Sequence, residues 1–200
     1  PMRIECYDIS TIQGTSTVGS MVVVEEGRPK PSEHRRFRIR AVDGQDDFAS
    51  HAEVMRRRLG RLASAGDGEA GWRIPDLLVI DGGKGQLGAA RAVLEELGYG
   101  ALPVVGLAKE REELFLPGRP DPVVLPATSP ALYLLQRLRD EAHRFAITYH
   151  RTVRATAQTR SALDGIAGLG PVRRKALVRA LGSVRAVREA SLEELVAVPG

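Results

Sequence analysis

Leu77-Leu78-Val79-Ile80-Asp81-Gly82-Gly83-Lys84-Gly85-Gln86 is the stretch on which the fold turns. Four apolar residues in a row suit a strand buried on both faces, and this strand ends on a carboxylate. The glycines and Lys84 lead into a helix expected over about 85–97, which Gly98 closes. Val104 to Ala108 gives a further short strand, so strand, helix and strand imply a parallel crossover. A carboxylate at the tip of a buried strand suits a hard cation such as Mg²⁺, and the small residues beside it leave room for a large substrate. The same letters also carry a competing motif. Gly83-Lys84-Gly85-Gln86-Leu87-Gly88 is a literal G-x-G-x-x-G, and Glu110 stands about where a ribose-binding acid would be.

Upstream, residues 2–10 and 17–26 are β-rich, Gly27-Arg28-Pro29 makes a turn, and His34 to Ile39 forms a third strand. Short links between three strands imply an antiparallel meander. Asp46 or Asp47 caps a helix over about 48–64. Downstream, Glu113–Pro117 and Pro122–Leu125 read as a hairpin or as loops. Ser129 and Pro130 then open a long helix, to about Ala157, whose apolar face carries Leu132, Leu135, Leu138, Ala142, Phe145 and Tyr149. The fold class expected is α/β, a ribonuclease H-like mixed sheet of antiparallel then parallel strands flanked by helices. A small all-α domain follows it, with residues 1–157 in the first domain and 158–200 in the second.

Two hundred residues suffice for that arrangement. No apolar run approaches the ~20 residues of a membrane span, and no signal-peptide pattern opens the chain. Cys6 is the only cysteine, so no internal disulfide forms, which fits a reducing cytoplasm. Net charge is +4 and the sequence pI is near 9.6. Arginines crowd three segments: Arg35, Arg36, Arg38 and Arg40; Arg56, Arg57, Arg58 and Arg61; and Arg137, Arg139, Arg144, Arg151 and Arg154. Any one such cluster suits a solvated face, whereas three in one chain favour a phosphate-rich partner.

Asp8 ends the run Arg3-Ile4-Glu5-Cys6-Tyr7-Asp8. If the strand ending at Asp81 lies parallel to this one, both carboxylates point to one end of the sheet. Two close carboxylates repel unless a proton or a cation intervenes, and a divalent metal there would serve phosphoryl transfer. His143 lies at the edge of the long helix's apolar face, where it is a metal ligand, a base for the attacking water, or a surface histidine bonded to Asp140. The dinucleotide reading suffers because Asp81 opposes an incoming pyrophosphate, the unit follows a meander, and nothing downstream resembles a second nucleotide-binding half. A Walker loop fits worse, since Gly85 rather than Ser or Thr follows Lys84.

The tail differs in character. Ile166-Ala167-Gly168-Leu169-Gly170-Pro171-Val172-Arg173-Arg174-Lys175-Ala176-Leu177 resembles a helix-hairpin-helix, whose glycine turn presents backbone N–H groups to a DNA phosphate. Gly168, Gly170, Arg173, Arg174 and Lys175 are its candidate contacts. Val198-Pro199-Gly200 reads as half of a second hairpin, so Pro199 and Gly200 join them and a longer protein is expected around this chain.

Three stretches in this order, Glu5-Cys6-Tyr7-Asp8-Ile9-Ser10, Asp81-Gly82-Gly83-Lys84-Gly85-Gln86 and Asp140-Glu141-Ala142-His143-Arg144-Phe145-Ala146, followed by the hairpin, resemble the C-terminal half of the UvrC family. That family supplies the incision subunit of bacterial nucleotide excision repair. The resemblance implies a ribonuclease H-like endonuclease that cuts damaged duplex DNA 5′ to the lesion. Its Asp-Asp-His site would fall on Asp8, Asp81 and His143 with Mg²⁺ or Mn²⁺, and Lys84 and Lys109 are candidates to position phosphate. It also implies that the nuclease for the 3′ cut and the segment that binds UvrB lie outside this chain. No membrane and no organic cofactor are expected. Two other classes stay open to the residues: a DNA-binding module on a degenerate nuclease fold, and a dinucleotide-dependent oxidoreductase.

Overall fold

The computed structural model describes residues 1–12, 16–42, 46–65, 72–109, 112–163, 166 and 169–198, with backbone alone for 12, 16, 65 and 149–162. It forms two compact units, Pro1–Thr148 and Tyr149–Gly200. In the first, β1 (Arg3–Ile12) pairs antiparallel with β2 (Ser16–Glu25) along its whole length. The far side of β2 takes two short partners, β3 (Arg28–Pro29) and β4 (Arg35–Arg38), joined by a 3-10 turn at Pro31–Glu33. Helix α1 (Asp47–Ala65) crosses to β5 (Leu77–Asp81), which pairs parallel with β1. Helix α2 (Lys84–Glu96) leads to β6 (Val104–Ala108), parallel to β5. Strands β7 (Glu113–Phe115) and β8 (Val123–Val124) extend the sheet as an antiparallel hairpin, which resolves the hairpin-or-loop alternative.

Side chains alternate across a strand, and β1 uses both of its faces. Tyr7 packs with Met21, Leu78 and Ile80 under α1 and α2, where Val54, Met55, Leu59, Leu87 and Leu94 complete a core. Ile4 and Cys6 face the opposite way, with Val22, Val79 and Leu107, under Leu135, Leu138 and Ala142 of α3 (Pro130–Leu163). The sheet is therefore the middle of three layers. Helix α3 buries Leu132, Leu135, Leu138 and Ala142 of the expected face, with Phe145 packed at its edge and the Tyr149 side chain outside the described residues, and it runs past Ala157 to Leu163.

One feature on the α1 side was not anticipated. Glu5 is fully buried (0% exposed) and meets Arg58 of α1, itself 1% exposed, at 2.7 and 3.1 Å. Arg3 donates to Glu5 at 3.0 Å and also to Glu33, while the Tyr7 hydroxyl donates at 2.6 Å. The second guanidinium nitrogen of Arg58 reaches the Arg73 carbonyl as well, at 2.7 Å. Two guanidiniums and a hydroxyl thus satisfy one carboxylate and tie α1 to β1. Such a cluster adds little over well-packed apolar residues, but breaking it leaves a buried charge unpaired.

The second unit holds α4 (Pro171–Leu181), α5 (Val184–Glu189) and α6 (Leu192–Val196) around Leu163, Leu177, Val187 and Val198. Gly170 caps α4 and Pro171 occupies its first turn. Ser183 accepts from the Ala186 N–H at the start of α5, and Ser191 and Glu194 form a capping box on α6. Among the described residues no helix is long and apolar enough to cross a membrane. The Glu5–Arg58 pairing makes a stability prediction. Glu5→Leu strands Arg58 without a counter-charge and should cost about 3–5 kcal/mol in urea unfolding; a loss under about 1 kcal/mol would contradict a cluster held by that charge.

Candidate active site

Pairing of β1 with β5 matches Cys6 to Val79 and Tyr7 to Ile80. The next step along both strands sets Asp8 beside Asp81, and the alternation that turns Cys6 and Val79 toward α3 turns both aspartates the same way. Ser20 stands opposite Asp8 on β2. Its hydroxyl lies 3.3 Å from the Ala142 carbonyl of α3 and 3.4 Å from the Asp8 carbonyl, which fixes the helix to the sheet one residue before His143. Asp8 is buried and accepts a hydrogen bond from the Ser10 hydroxyl at 2.9 Å.

The electrostatics follow from this placement. Burial, and next the charge of Asp8, push the Asp81 carboxyl up to about 6. Arg139, Lys109 and His143 oppose that shift but do not cancel it. Arg139 is nine-tenths buried, and its guanidinium already holds Glu112 at 2.8 Å and Asp140 at 3.2 Å. Burial and the charges of Asp81 and Asp8 raise the Cys6 thiol, so it stays protonated and serves as core.

The structure therefore brings Asp8, Asp81, Lys109 and His143 into one electrostatic neighbourhood. His143 sits on α3 with its side chain exposed, and among the described residues no three His, Cys, Asp or Glu side chains close around a single point. Lys84 begins α2 and its ammonium lies 5.7 Å from the centre of the Phe115 ring. In the second unit, Arg173 and Lys175 are exposed on the first turn of α4, while Arg174 donates to the Leu169 carbonyl at 2.8 Å. Gly168, Pro199, Gly200 and Glu110 lie outside the described residues.

One alternative falls away, and one expectation needs correction. The G-x-G-x-x-G belongs to a single strand–helix–strand unit inside a mixed sheet, so its topology is not a dinucleotide fold. Nor do all the glycines after Asp81 clear space for a substrate. A Cβ on Gly85 would fall 2.3 Å from the Phe48 ring, and one on Gly82, where φ is +157°, would fall 2.8 Å from the Gln86 side chain. The room is used by the protein itself. Gln86 also accepts from the Gly83 N–H at 3.2 Å and so caps the helix start. Arg139 and Ser20 escaped notice beforehand: Arg139 is one member of a charge cluster, and Ser20 gains a role only through its strand partners.

Residues 1–147 match the family model for the UvrC RNase H endonuclease domain, and residues 161–200 match a SAM-like helix-hairpin-helix tandem. The chain belongs to the UvrC RNase H endonuclease domain family. Among curated UvrC relatives, the UvrABC system protein C of Dehalococcoides mccartyi is 54% identical over all of this chain and 33% of its own length. That of Gloeobacter violaceus is 55% identical over all of this chain and 32% of its own length. The chain thus spans about a third of the UvrC relatives it matches. Solved endonuclease V structures, from Ciona intestinalis with inosine-containing DNA and from human, align over 55% of this chain and 46% of theirs. Their identities are 14% and 21%, with TM-scores of 0.38 and 0.35.

The raised Asp81 carboxyl makes a signed prediction. Its folded-state value near 6 exceeds the ordinary carboxylate value, so the folded protein binds the proton more tightly. Stability then falls as pH rises from about 4 through about 6 and stays low above. Asp81 is partly open to water, so the penalty at neutral pH is about 1–2 kcal/mol. Asp81→Asn should stabilise the chelator-treated protein by that amount at neutral pH and not at all below about pH 4 in thermal melts. Identical melting temperatures at pH 7.5 would mean that neither burial nor the Asp8 charge opposes ionisation of Asp81.

Proposed function

We propose that this chain is the part of a bacterial nucleotide-excision-repair nuclease that makes the 5′ incision in damaged duplex DNA. In this reading Asp8, Asp81 and His143 are the catalytic residues, and the helix-hairpin-helix region, about 158–200, holds the duplex backbone. The observation that carries it is the pair of adjacent carboxylates, Asp8 and Asp81: burial first and the Asp8 charge second raise the Asp81 carboxyl, and the surrounding cations do not bring it back.

These residues fit a divalent metal. Two hard carboxylate oxygens without a dedicated cationic partner are the donor set that Mg²⁺ or Mn²⁺ takes from a protein, with phosphate and water oxygens supplying the rest. Asp8 and Asp81 would hold the ion, and His143 is a candidate third ligand. When bound, a divalent cation polarises the scissile phosphate and lowers the pKa of a bound water. The chain's own residues do the remainder. Ser10 holds one oxygen of Asp8, and Ser20 and Ala142 set the height of α3 over the pair. If His143 is not a ligand, its exposed imidazole accepts a proton from the attacking water at a free ring nitrogen. Lys109 supplies a positive charge beside Asp81 where a phosphate would approach.

In the second unit, the first turn of α4 offers free N–H groups behind Gly170, with Arg173 and Lys175 beside them. That combination binds a phosphate without reading bases. UvrB and the second nuclease would be met through parts of the longer protein.

Asp8→Ala and Asp81→Ala in the full-length protein should lower Mn²⁺-dependent nicking by about a hundredfold or more while duplex binding persists. Wild-type protein that binds duplex but never cleaves it with metal present would instead make the chain a binding module. Mn²⁺ should raise the melting temperature of the wild-type chain at pH 7.5, less so as Asp81 protonates below about pH 6, and not in Asp81→Ala. A double Arg173→Ala, Lys175→Ala variant should weaken duplex binding alike on every sequence and reduce the salt slope by about 2. An unchanged slope would remove α4 from the DNA interface.

A further inference from the structure

Phe48 is the second residue of α1, and 52% of it is exposed. So large an apolar ring left half open is not spent on the core. It is nonetheless held in place, because it lies against Gly85 in the first turn of α2, where a Cβ would fall 2.3 Å from the ring. Gly85 follows Asp81 by four residues, so Phe48 is seated at the end of the sheet to which β5 delivers its carboxylate. His51 lies three residues further along α1. Burial holds its imidazole below the usual value, while the Asp47 carbonyl and the charges of Asp47 and Asp8 pull the other way. The start of α1 therefore lies within the field of the site.

Phe48 lines an open groove of about 510 Å³ together with Asp46, Asp47 and Gln86. The Gln86 side-chain oxygen is spent on the Gly83 N–H, which leaves its amide N–H groups to donate elsewhere, and no described residue accepts from them. Asp46 uses one oxygen to cap the Ala49 N–H at 2.9 Å. The exposed Asp47 carboxylate makes no hydrogen bond or ion pair among the described residues. Around one fixed ring, then, stand free N–H donors and free carboxylate acceptors.

We propose that Phe48, with Gln86 and Asp47 at its rim, is a seat for an unstacked nucleobase of the DNA strand that is cut at Asp8 and Asp81. The proposal rests on the nuclease reading above. A phosphate is anionic and only accepts hydrogen bonds, so two carboxylates beside the ring turn it away. A nucleobase is neutral, carries donors and acceptors on its edges, and offers a flat π-face to an aromatic ring whatever its identity. Gly85 already fixes the ring, so little side-chain freedom is lost when a base arrives. A base inside a regular duplex is covered by its neighbours, and extruding it costs a few kcal/mol, least where pairing is already lost. The seat therefore selects bases by their freedom to leave the stack and not by sequence.

The test measures binding of this 200-residue chain to two fluorescein-labelled single strands of equal length, an oligothymidine and its abasic counterpart. Both carry the same phosphates, so any difference in affinity comes from the bases. The wild-type chain should hold the oligothymidine about five- to tenfold more tightly, as one stacked base provides. Phe48→Ala should abolish that difference and leave abasic binding as it was. Phe48→Leu keeps an apolar contact on Gly85 without a π-face and should behave as the alanine variant does, which guards against a packing defect, whereas Phe48→Tyr should behave as wild type. The Mn²⁺-dependent rise in melting temperature should be unchanged in all three. A wild-type preference for bases that survives in Phe48→Ala and Phe48→Leu, or no such preference in wild type, overturns the seat and, with the metal response intact, leaves the nuclease reading standing. A wild-type chain with no metal response overturns the nuclease reading and the seat with it.

Discussion

The parallel pairing of β1 with β5 is the constraint on which the site depends. It is a core interaction first: Cys6 beside Val79 and Tyr7 beside Ile80 are buried, and a shift of one residue would send each apolar set to the wrong face. The register that satisfies the two cores leaves no freedom one step later, where Asp8 and Asp81 must stand side by side. Their repulsion follows from hydrophobic packing, and apolar burial on both faces is what offsets it. Helix α3 is held by the same register, because its Ala142 rests on Ser20, the strand partner of Asp8.

The two faces of β1 treat a carboxylate in opposite ways. Glu5, facing α1, has Arg58, Arg3 and the Tyr7 hydroxyl. Three residues on, Asp8 faces α3 with one serine hydroxyl, and the guanidinium nearest the pair in electrostatic effect, that of Arg139, is committed to Glu112 and Asp140. Neutralising a buried acid with arginine is thus within the means of this chain, and it is done where the acid is structural. At Asp8 and Asp81 no described side chain is dedicated to that task, and in the reading proposed above a cation from outside the polypeptide would supply the charge. The contrast within a single strand is one that composition alone does not reveal.

Much of this was legible beforehand. The four-residue apolar run before Asp81, the periodic face of α3 and its start at Pro130 each depend on local pattern, and local pattern is what a sequence displays. Asp8 and Asp81 could be paired on paper once the two strands were taken as parallel. Properties that depend on contact between distant segments were hidden. Glu5 and Arg58 lie 53 residues apart, and nothing in either neighbourhood marks them as partners. Gly85 looked like clearance for a ligand because the Phe48 ring that fills it comes from another helix. The two-residue strands β3 and β8 are too short to show any period, and they exist because a longer neighbour offers an unpaired edge.

The arginine clusters show how the same limit bears on function. Read as blocks, the three groups were equivalent evidence for a phosphate-rich partner. The fold separates several of them by what they meet: Arg58 is internal wiring on Glu5, Arg139 holds Glu112, and Arg144 pairs with Glu141 on its own helix, while the side chains of Arg151 and Arg154 lie outside the described residues. Exposed positive charges such as Arg173 and Lys175 near the start of α4 suit a phosphate backbone in the reading proposed above. Guanidiniums and helix N–H groups meet phosphates, whose chemistry is the same at every nucleotide. Contacts of this type set where a strand lies and how tightly it is held, and they carry no information about base identity. If the chain is the nuclease proposed above, its choice of phosphodiester would come from the shape in which the DNA arrives.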